Sequence, residues 1–254
     1  MERMTSTLLC TAVLLGALGA GPAAADDHDP LAKALESALA SEQRSDAEKA
    51  RDKNRKPLET LQFFGLKPGM RVLELVPGGG WYTKLLAPVL REDGKLFVAV
   101  GAGRVKERLL DKPGFDAVEI VAEDAKIERR GGLAAIDELD LGVRRIDLAL
   151  TFRNLHNFDP DSRDVINKAV FKALKRGGLY GVVDHTRRHM QGDERENRRR
   201  MDPVLAIKEI QAAGFEFVDY SDLHYRLDDE LRYEVGRRSV AGNTDRFTLL
   251  FRKP

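Results

Sequence analysis

Cysteine is almost absent from this chain: Cys10 is the only one in 254 residues. An intramolecular disulfide is therefore excluded, and so is a site built from several cysteines around a metal. An excess of charge of either sign is also missing, because 42 Lys+Arg face 41 Asp+Glu. Such a balance provides no global field toward nucleic acid or anionic lipid, so a partner must be recognised locally. Aromatic residues make up only 7%. Long apolar runs are missing too: the one candidate, residues 8–20, falls short of the roughly 20 residues a helix needs to cross a bilayer. What is present is 43% hydrophobic and 33% charged residues, enough to bury one sizeable core and too apolar for a disordered chain.

The apolar run follows Arg3, is broken by Gly21-Pro22 and leads to the small residues Ala23-Ala24-Ala25. This is the pattern of a secretory signal peptide over residues 1–25, with cleavage near Ala25; the competing reading is an uncleaved anchor. Cys10 follows Leu8-Leu9, which does not suit lipid attachment. Cleavage places the protein in the periplasm or outside the cell, without stable membrane insertion, and removes the sole cysteine. Residues 26–64 read as a helical arm. Asp29-Pro30 is an N-cap with a first-turn proline, and Leu31, Ala34, Leu35, Ala38 and Leu39 recur at helical spacing. Ser45 and Glu48 fit a capping box for a second helix through Arg51, Asp52 and Arg55, and Pro57 opens a third to Phe64.

From residue 65 to 254 the pattern is that of one α/β domain. Seven strands are expected at 71–76, 95–100, 117–121, 146–151, 179–184, 215–220 and 246–252. Helices are expected at 81–90, 105–110, 133–139, 163–174 and 203–213. Such alternation builds a doubly wound, mainly parallel seven-stranded sheet through right-handed crossovers. No helical pattern separates the last two strands, which predicts an antiparallel final pair joined by the polar, arginine-rich stretch 228–243. Residues 193–200 form a charge run, the usual mark of a solvated loop or helix start.

In such a sheet a ligand sits beyond the carboxyl ends of the strands, where the strand order reverses. The first strand ends in Val76-Pro77-Gly78-Gly79-Gly80-Trp81-Tyr82-Thr83. The glycines permit a tight turn and close approach of a ligand to the backbone. Thr83 stands where the dinucleotide fingerprint requires its third glycine.

With Gly65-Leu66-Lys67-Pro68-Gly69-Met70, Val72-Leu73-Glu74 and Leu174-Lys175-Arg176-Gly177-Gly178, this turn resembles the class I S-adenosylmethionine-dependent methyltransferases. Phe63-Phe64-Gly65, Phe152-Arg153-Asn154-Leu155-His156-Asn157, Val182-Val183-Asp184-His185 and Asp245-Arg246-Phe247-Thr248 are similar to exported bacterial predicted methyltransferases. The resemblance implies a Rossmann-like methyltransferase fold and S-adenosylmethionine as cofactor. It implies cofactor contacts from Glu74, Pro77, Gly78, Gly79 and Gly80, and from Asp124 and Ala125 at the adenine; a capped turn is the alternative role for Glu74 and for Asp124. The chain departs from the family at Val76, where glycine is common, and after the second strand. There Val100-Gly101-Ala102-Gly103-Arg104 lacks the acid that grips the ribose.

The fourth and fifth strands end in Arg153, His156, Asp184 and His185, which the fold brings toward the glycine turn. His156 and His185 are candidate general bases and Arg153 a candidate ligand for a carboxylate or phosphate. The alternatives are histidines bonded to backbone carbonyls, a divalent-metal site with Asp184, and an Arg153 paired to Asp184 or Asp147; no tight ligand spacing supports the metal. Trp81 and Tyr82 either stack on a flat ligand or pack under the sheet. Arg232, Arg237, Arg238 and Arg246 either form a basic lid or lie solvated. What the resemblance implies is a small-molecule methyltransferase, and the balanced charge and export signal argue against action on nucleic acid. The alternative is an exported accessory or ligand-binding protein with an altered cofactor site.

Overall fold

A computed structural model describes residues 30–254; the expected signal peptide and the Asp29 cap lie outside the described residues. Among the described residues no helix is long and apolar enough to cross a membrane.

The arm consists of α1 (Pro30–Ala40), α2 (Asp46–Lys49), α3 (Asp52–Arg55) and α4 (Pro57–Phe63). Leu31, Leu35 and Ala38 form the buried stripe of α1, as their spacing requires. The Ser45–Glu48 capping box forms at the start of α2. The expected second helix is split in two, and Lys56, at φ 40°, turns the chain before Pro57. The arm is bonded to the rest of the protein at both ends. Trp81 Nε1 donates to the Glu48 carbonyl at 3.1 Å and Lys84 pairs with the Glu48 carboxylate at 2.8 Å. Arg246 donates to the Asn54 carbonyl at 2.7 Å. His224, 1% exposed, bridges the Arg55 carbonyl (2.9 Å) and Thr248 Oγ1 (2.7 Å). Burial pushes the His224 imidazole down to about 4, so it is neutral, donating from Nε2 and accepting at Nδ1.

The main sheet contains β1 (Arg71–Leu75), β2 (Lys95–Ala99), β3 (Glu119–Val121), β6 (Ile146–Phe152), β7 (Leu174–His185), β8 (Glu216–Ser221) and β9 (Arg246–Arg252). Their spatial order is β3-β2-β1-β6-β7-β9-β8. The first five pair in parallel, and β9 runs antiparallel between β7 and β8. The expected strands and the antiparallel final pair are thus present. Neighbouring residues of a strand face opposite layers. Val72 and Leu148 pack with Leu35, Leu61 and Leu85 on one face. Leu73 and Ala149 pack with Ile166, Val170 and Ile210 on the other. Each such buried leucine, isoleucine or valine contributes roughly 1.5–3 kcal/mol. The layers are completed by α5 (Thr83–Leu90), α6 (Gly103–Arg108), α7 (Pro160–Ala173) and α8 (Pro203–Ala212).

Two expectations are corrected. Residues 133–139 are not a helix: β4 (Glu128–Arg130) and β5 (Leu133–Ala135) form an antiparallel hairpin. Gly131 and Gly132, at φ 59° and 89°, supply the two left-handed residues of a tight hairpin turn, which overrides the apolar spacing after it. The charge run at 193–200 is not simply solvated. Arg200 is 3% exposed and forms a two-pronged pair with Asp229 at 2.9 and 3.0 Å. Asp229 also accepts from the Asp245 and Leu231 backbone nitrogens, so the arginine-rich stretch is tied to the sheet. Arg237 lies over Tyr233, and Arg238 is exposed.

Candidate active site

The strand order reverses at β1, which has β2 on one side and β6 on the other. Immediately after β1, β2, β3 and β6 stand Val76, Val100, Ala122 and Arg153, with φ of 51°, 62°, 52° and 60°. Left-handed backbone at a non-glycine residue costs on the order of 1–3 kcal/mol and persists only where its surroundings hold it. At Val76 and Arg153 the surroundings are hydrogen bonds: Val76 N to the Ala99 carbonyl at 2.9 Å, Asn154 Nδ2 to the Val76 carbonyl at 2.9 Å, and Arg153 N to the Val183 carbonyl at 2.6 Å. A glycine at Val76 would adopt this φ without strain. Four such residues along one edge of the sheet single that edge out as the candidate site.

A cavity of about 660 Å³ opens at this reversal point. Its floor is the end of β1 with Glu74, Val76, Pro77, Gly78 and Gly79, and its walls include Trp81, Tyr82, Phe152, Arg153 and Asn154. The arm closes the remaining side through Glu42, Ser45, Glu48, Arg51 and Arg55. A Cβ on Gly78 or Gly79 would meet nothing within 4 Å, whereas one on Gly80 would strike Leu109 at 2.4 Å. The first two glycines thus present bare backbone to open space, and the third lets α6 and its flank approach the turn. Tyr82 stacks on Phe152 with centroids 3.5 Å apart, and Trp81 meets Tyr82 edge-on. Both aromatic rings are buried and both border the cavity, so packing and ligand contact are not exclusive.

Glu74 is 2% exposed and accepts a 2.6 Å hydrogen bond from Thr83 Oγ1. Burial raises its carboxyl to about 7, against the pull of the Thr83 hydroxyl and of Arg55. Burial likewise pushes the Arg55, Arg153 and Arg246 guanidinia below their ordinary range, and Arg153 adds repulsion to the other two.

The expected site residues divide by position. Glu74, Pro77, Gly78, Gly79 and Arg153 line the cavity; Gly80 supports the turn beneath it. Ala125 borders a second cavity of about 340 Å³ beyond β2 and β3, with Val100–Gly103 and Glu123. Asp124 borders a third with Ala125, Leu139 and Asp140. His156 and His185 do not line the main cavity. His156 Nδ1 lies 2.5 Å from Asp184 Oδ1, and the backbone nitrogens of His156 and His185 donate to the same carboxylate. His185 Nδ1 is 2.8 Å from Thr244 Oγ1, and burial holds this imidazole well below its ordinary range. Among the described residues no group of three or more His, Cys, Asp or Glu is placed to hold a metal ion. Arg153 is paired with neither expected carboxylate: Asp147 is paired with Lys175. Arg51 and Arg55 also line the cavity although no motif marks them as functional, and Asn154 lines it from within the 152–157 motif without having been singled out. The two arginines look like ordinary members of a short charged helix, and only the fold of the arm over the sheet brings them here.

No family model matches the chain. An uncharacterized methyltransferase of Synechocystis sp. is 32% identical over 133 residues, covering 50% of this chain and 51% of that protein. The chain therefore spans about half the length of the curated relative it matches. A SAM-dependent methyltransferase of Aquifex aeolicus superposes with a TM-score of 0.54 at 17% identity, over 80% of this chain and 92% of the other. The [4+2]-cyclase SpnF superposes at 0.52 and 18% identity, over 89% and 93%.

Proposed function

We propose that this chain, whose fold is that of class I methyltransferases, is an S-adenosylmethionine-dependent methyltransferase acting on a small molecule. The observation carrying this reading is the open cavity at the strand reversal, with the Gly78-Gly79 backbone bare on one side and buried Glu74 beside it. The residues present fit the methionine portion of this cofactor: the glycine turn admits a close ligand and Glu74, once ionised, favours its cationic groups. Pro77 and Gly80 shape the turn. Ala125 and the backbone after β2 would border the adenosyl portion, with Asp124 beside them. The expected ribose acid is missing after β2; Glu123 borders that cavity and pairs with Lys106 at 2.5 Å.

The cofactor supplies a methyl group already activated on a sulfonium, so the protein must chiefly align an acceptor with it. Arg153 and Asn154 touch the acceptor side of the cavity. The Asp184 carboxylate, bonded to the backbone nitrogen and the ring of His156, holds the 153–157 loop that carries them. The arm and Trp81 wall the cavity on the side away from the sheet. Export by a signal peptide over residues 1–25 belongs to the same proposal and is tested by fractionating cells and sequencing the mature N-terminus.

Calorimetry with S-adenosylmethionine and S-adenosylhomocysteine on protein lacking residues 1–25 tests the enzyme reading. Binding near the micromolar range supports it; none up to millimolar concentration overturns it. The missing ribose acid and the presence of a cyclase on the same fold favour a second reading in that case, an exported ligand-binding or accessory protein with an altered cofactor site.

A further inference from the structure

The cavity carries more positive charge than its own carboxylates balance. Arg51, Arg55, Lys84, Arg108, Lys112 and Arg153 line it against Glu42, Glu48 and Glu74. Lys84 and Glu48 satisfy each other, and Glu74 is engaged by Thr83. Arg55 is 4% exposed but is held by aromatic faces: its guanidinium carbon lies 4.2 Å from the Trp81 ring centroid and 6.0 Å from that of Tyr82. A ring face attracts a cation without cancelling its charge. The Nε of Arg153 is buried with no hydrogen-bond partner. Behind them Arg246 donates to the Asn54 carbonyl and leaves its own Nε without a partner. Among the described residues none of Arg55, Arg153 and Arg246 forms an ion pair with a carboxylate.

Unpaired guanidinia taken out of water are costly, and the cost is recovered only when an anion joins them. Their planar donor forks match carboxylate and phosphate oxygens. Tyr82 lines the same cavity with the Arg55 guanidinium carbon 6.0 Å from its ring centroid, and burial holds its hydroxyl protonated, pushed up to about 12, so it is available as a further donor.

We propose that Arg51, Arg55 and Arg153, with the Tyr82 hydroxyl, form an oxyanion subsite that receives a carboxylate or phosphate group of the methyl acceptor, which makes the acceptor an anionic small molecule. This rests on the methyltransferase reading of the same cavity. The rival source of the anion is the cofactor's own carboxylate. That group arrives with an ammonium and a sulfonium, so the cofactor alone leaves the cavity positive, whereas an anionic acceptor balances it.

The test is calorimetry with inorganic phosphate on wild-type protein, Arg153→Gln and Arg51→Gln, with and without saturating S-adenosylhomocysteine. The expected result is phosphate binding in both conditions, weakened about tenfold or more in each variant, while S-adenosylhomocysteine affinity stays within about threefold. Phosphate excluded by S-adenosylhomocysteine, together with about tenfold weaker S-adenosylhomocysteine binding to Arg153→Gln, would assign the arginines to the cofactor's carboxylate and overturn the proposal. Absence of phosphate binding up to about 10 mM would overturn it outright. Arg51 lies on the exposed rim, so its variant reads the subsite even if Arg153→Gln folds poorly. Failure of the methyltransferase reading appears separately, as no heat with S-adenosylhomocysteine. Phosphate binding without it would then leave an anion site but refute an acceptor role.

Discussion

Replacing Glu74 by Gln is expected to stabilise the protein in alkali and to do so far less in acid. The folded carboxyl sits at about 7 against an ordinary value of 4.5, because burial penalises its charge more than the Thr83 hydroxyl and Arg55 relieve it. At about 1.4 kcal/mol per pH unit, the ionised carboxylate costs the fold about 3 kcal/mol. A carboxyl raised on folding holds its proton more tightly in the native state. Its stability contribution is therefore complete below pH 4.5, declines as pH rises through about 7, and is gone above that. Gln keeps an acceptor for Thr83 Oγ1 and does not titrate. Urea denaturation of both proteins at pH 4.5 and 8.5 should give a wild-type-minus-variant difference that changes by about 3 kcal/mol between the two pH values. Titrations common to both proteins, such as the acid-side protonation of His224, cancel in the difference. A pH-independent difference, constant to within about 1 kcal/mol, would refute the buried-carboxyl reasoning. The same titration predicts that affinity for S-adenosylmethionine rises as pH increases through 7.

The other expectations concern the turn and the buried ion pair. Gly80→Ala combines a left-handed φ of 80° with a Cβ 2.4 Å from Leu109, and should lower stability by about 2 kcal/mol or more in denaturant titrations. Gly79→Ala, whose Cβ meets nothing within 4 Å, should fold nearly as well as wild type yet weaken S-adenosylhomocysteine binding in calorimetry; unchanged affinity would move the ligand off the turn. Asp229→Ala leaves the Arg200 guanidinium buried without its carboxylate and the Asp245 and Leu231 nitrogens without their acceptor. A loss of roughly 3–5 kcal/mol is expected, read as a lower urea midpoint.

Legibility in the sequence followed the range of the interactions involved. The Ser45–Glu48 cap, the buried stripe Leu31, Leu35 and Ala38, and the glycine turn were all readable because each arises between residues a few positions apart. The helix expected at 133–139 failed because Gly131-Gly132 formed a hairpin in front of it. Arg200 was hidden in a charge run since its partner, Asp229, is distant in the chain.

The strands of the main sheet, the buried stripe of α1 and the turn at Gly78–Gly80 could be read from residue order alone, since periodicity and backbone sterics are local. Long-range packing was needed to bring Arg55 of the arm and Arg153 at the end of β6 into one cavity, to set Tyr82 both in the core and on the cavity wall, and to make His156 the support of a loop beside it. It also placed four non-glycine residues in left-handed backbone at neighbouring strand ends. Burial and charge depend on which distant segments close over a side chain, and that is settled when the arm docks on the sheet.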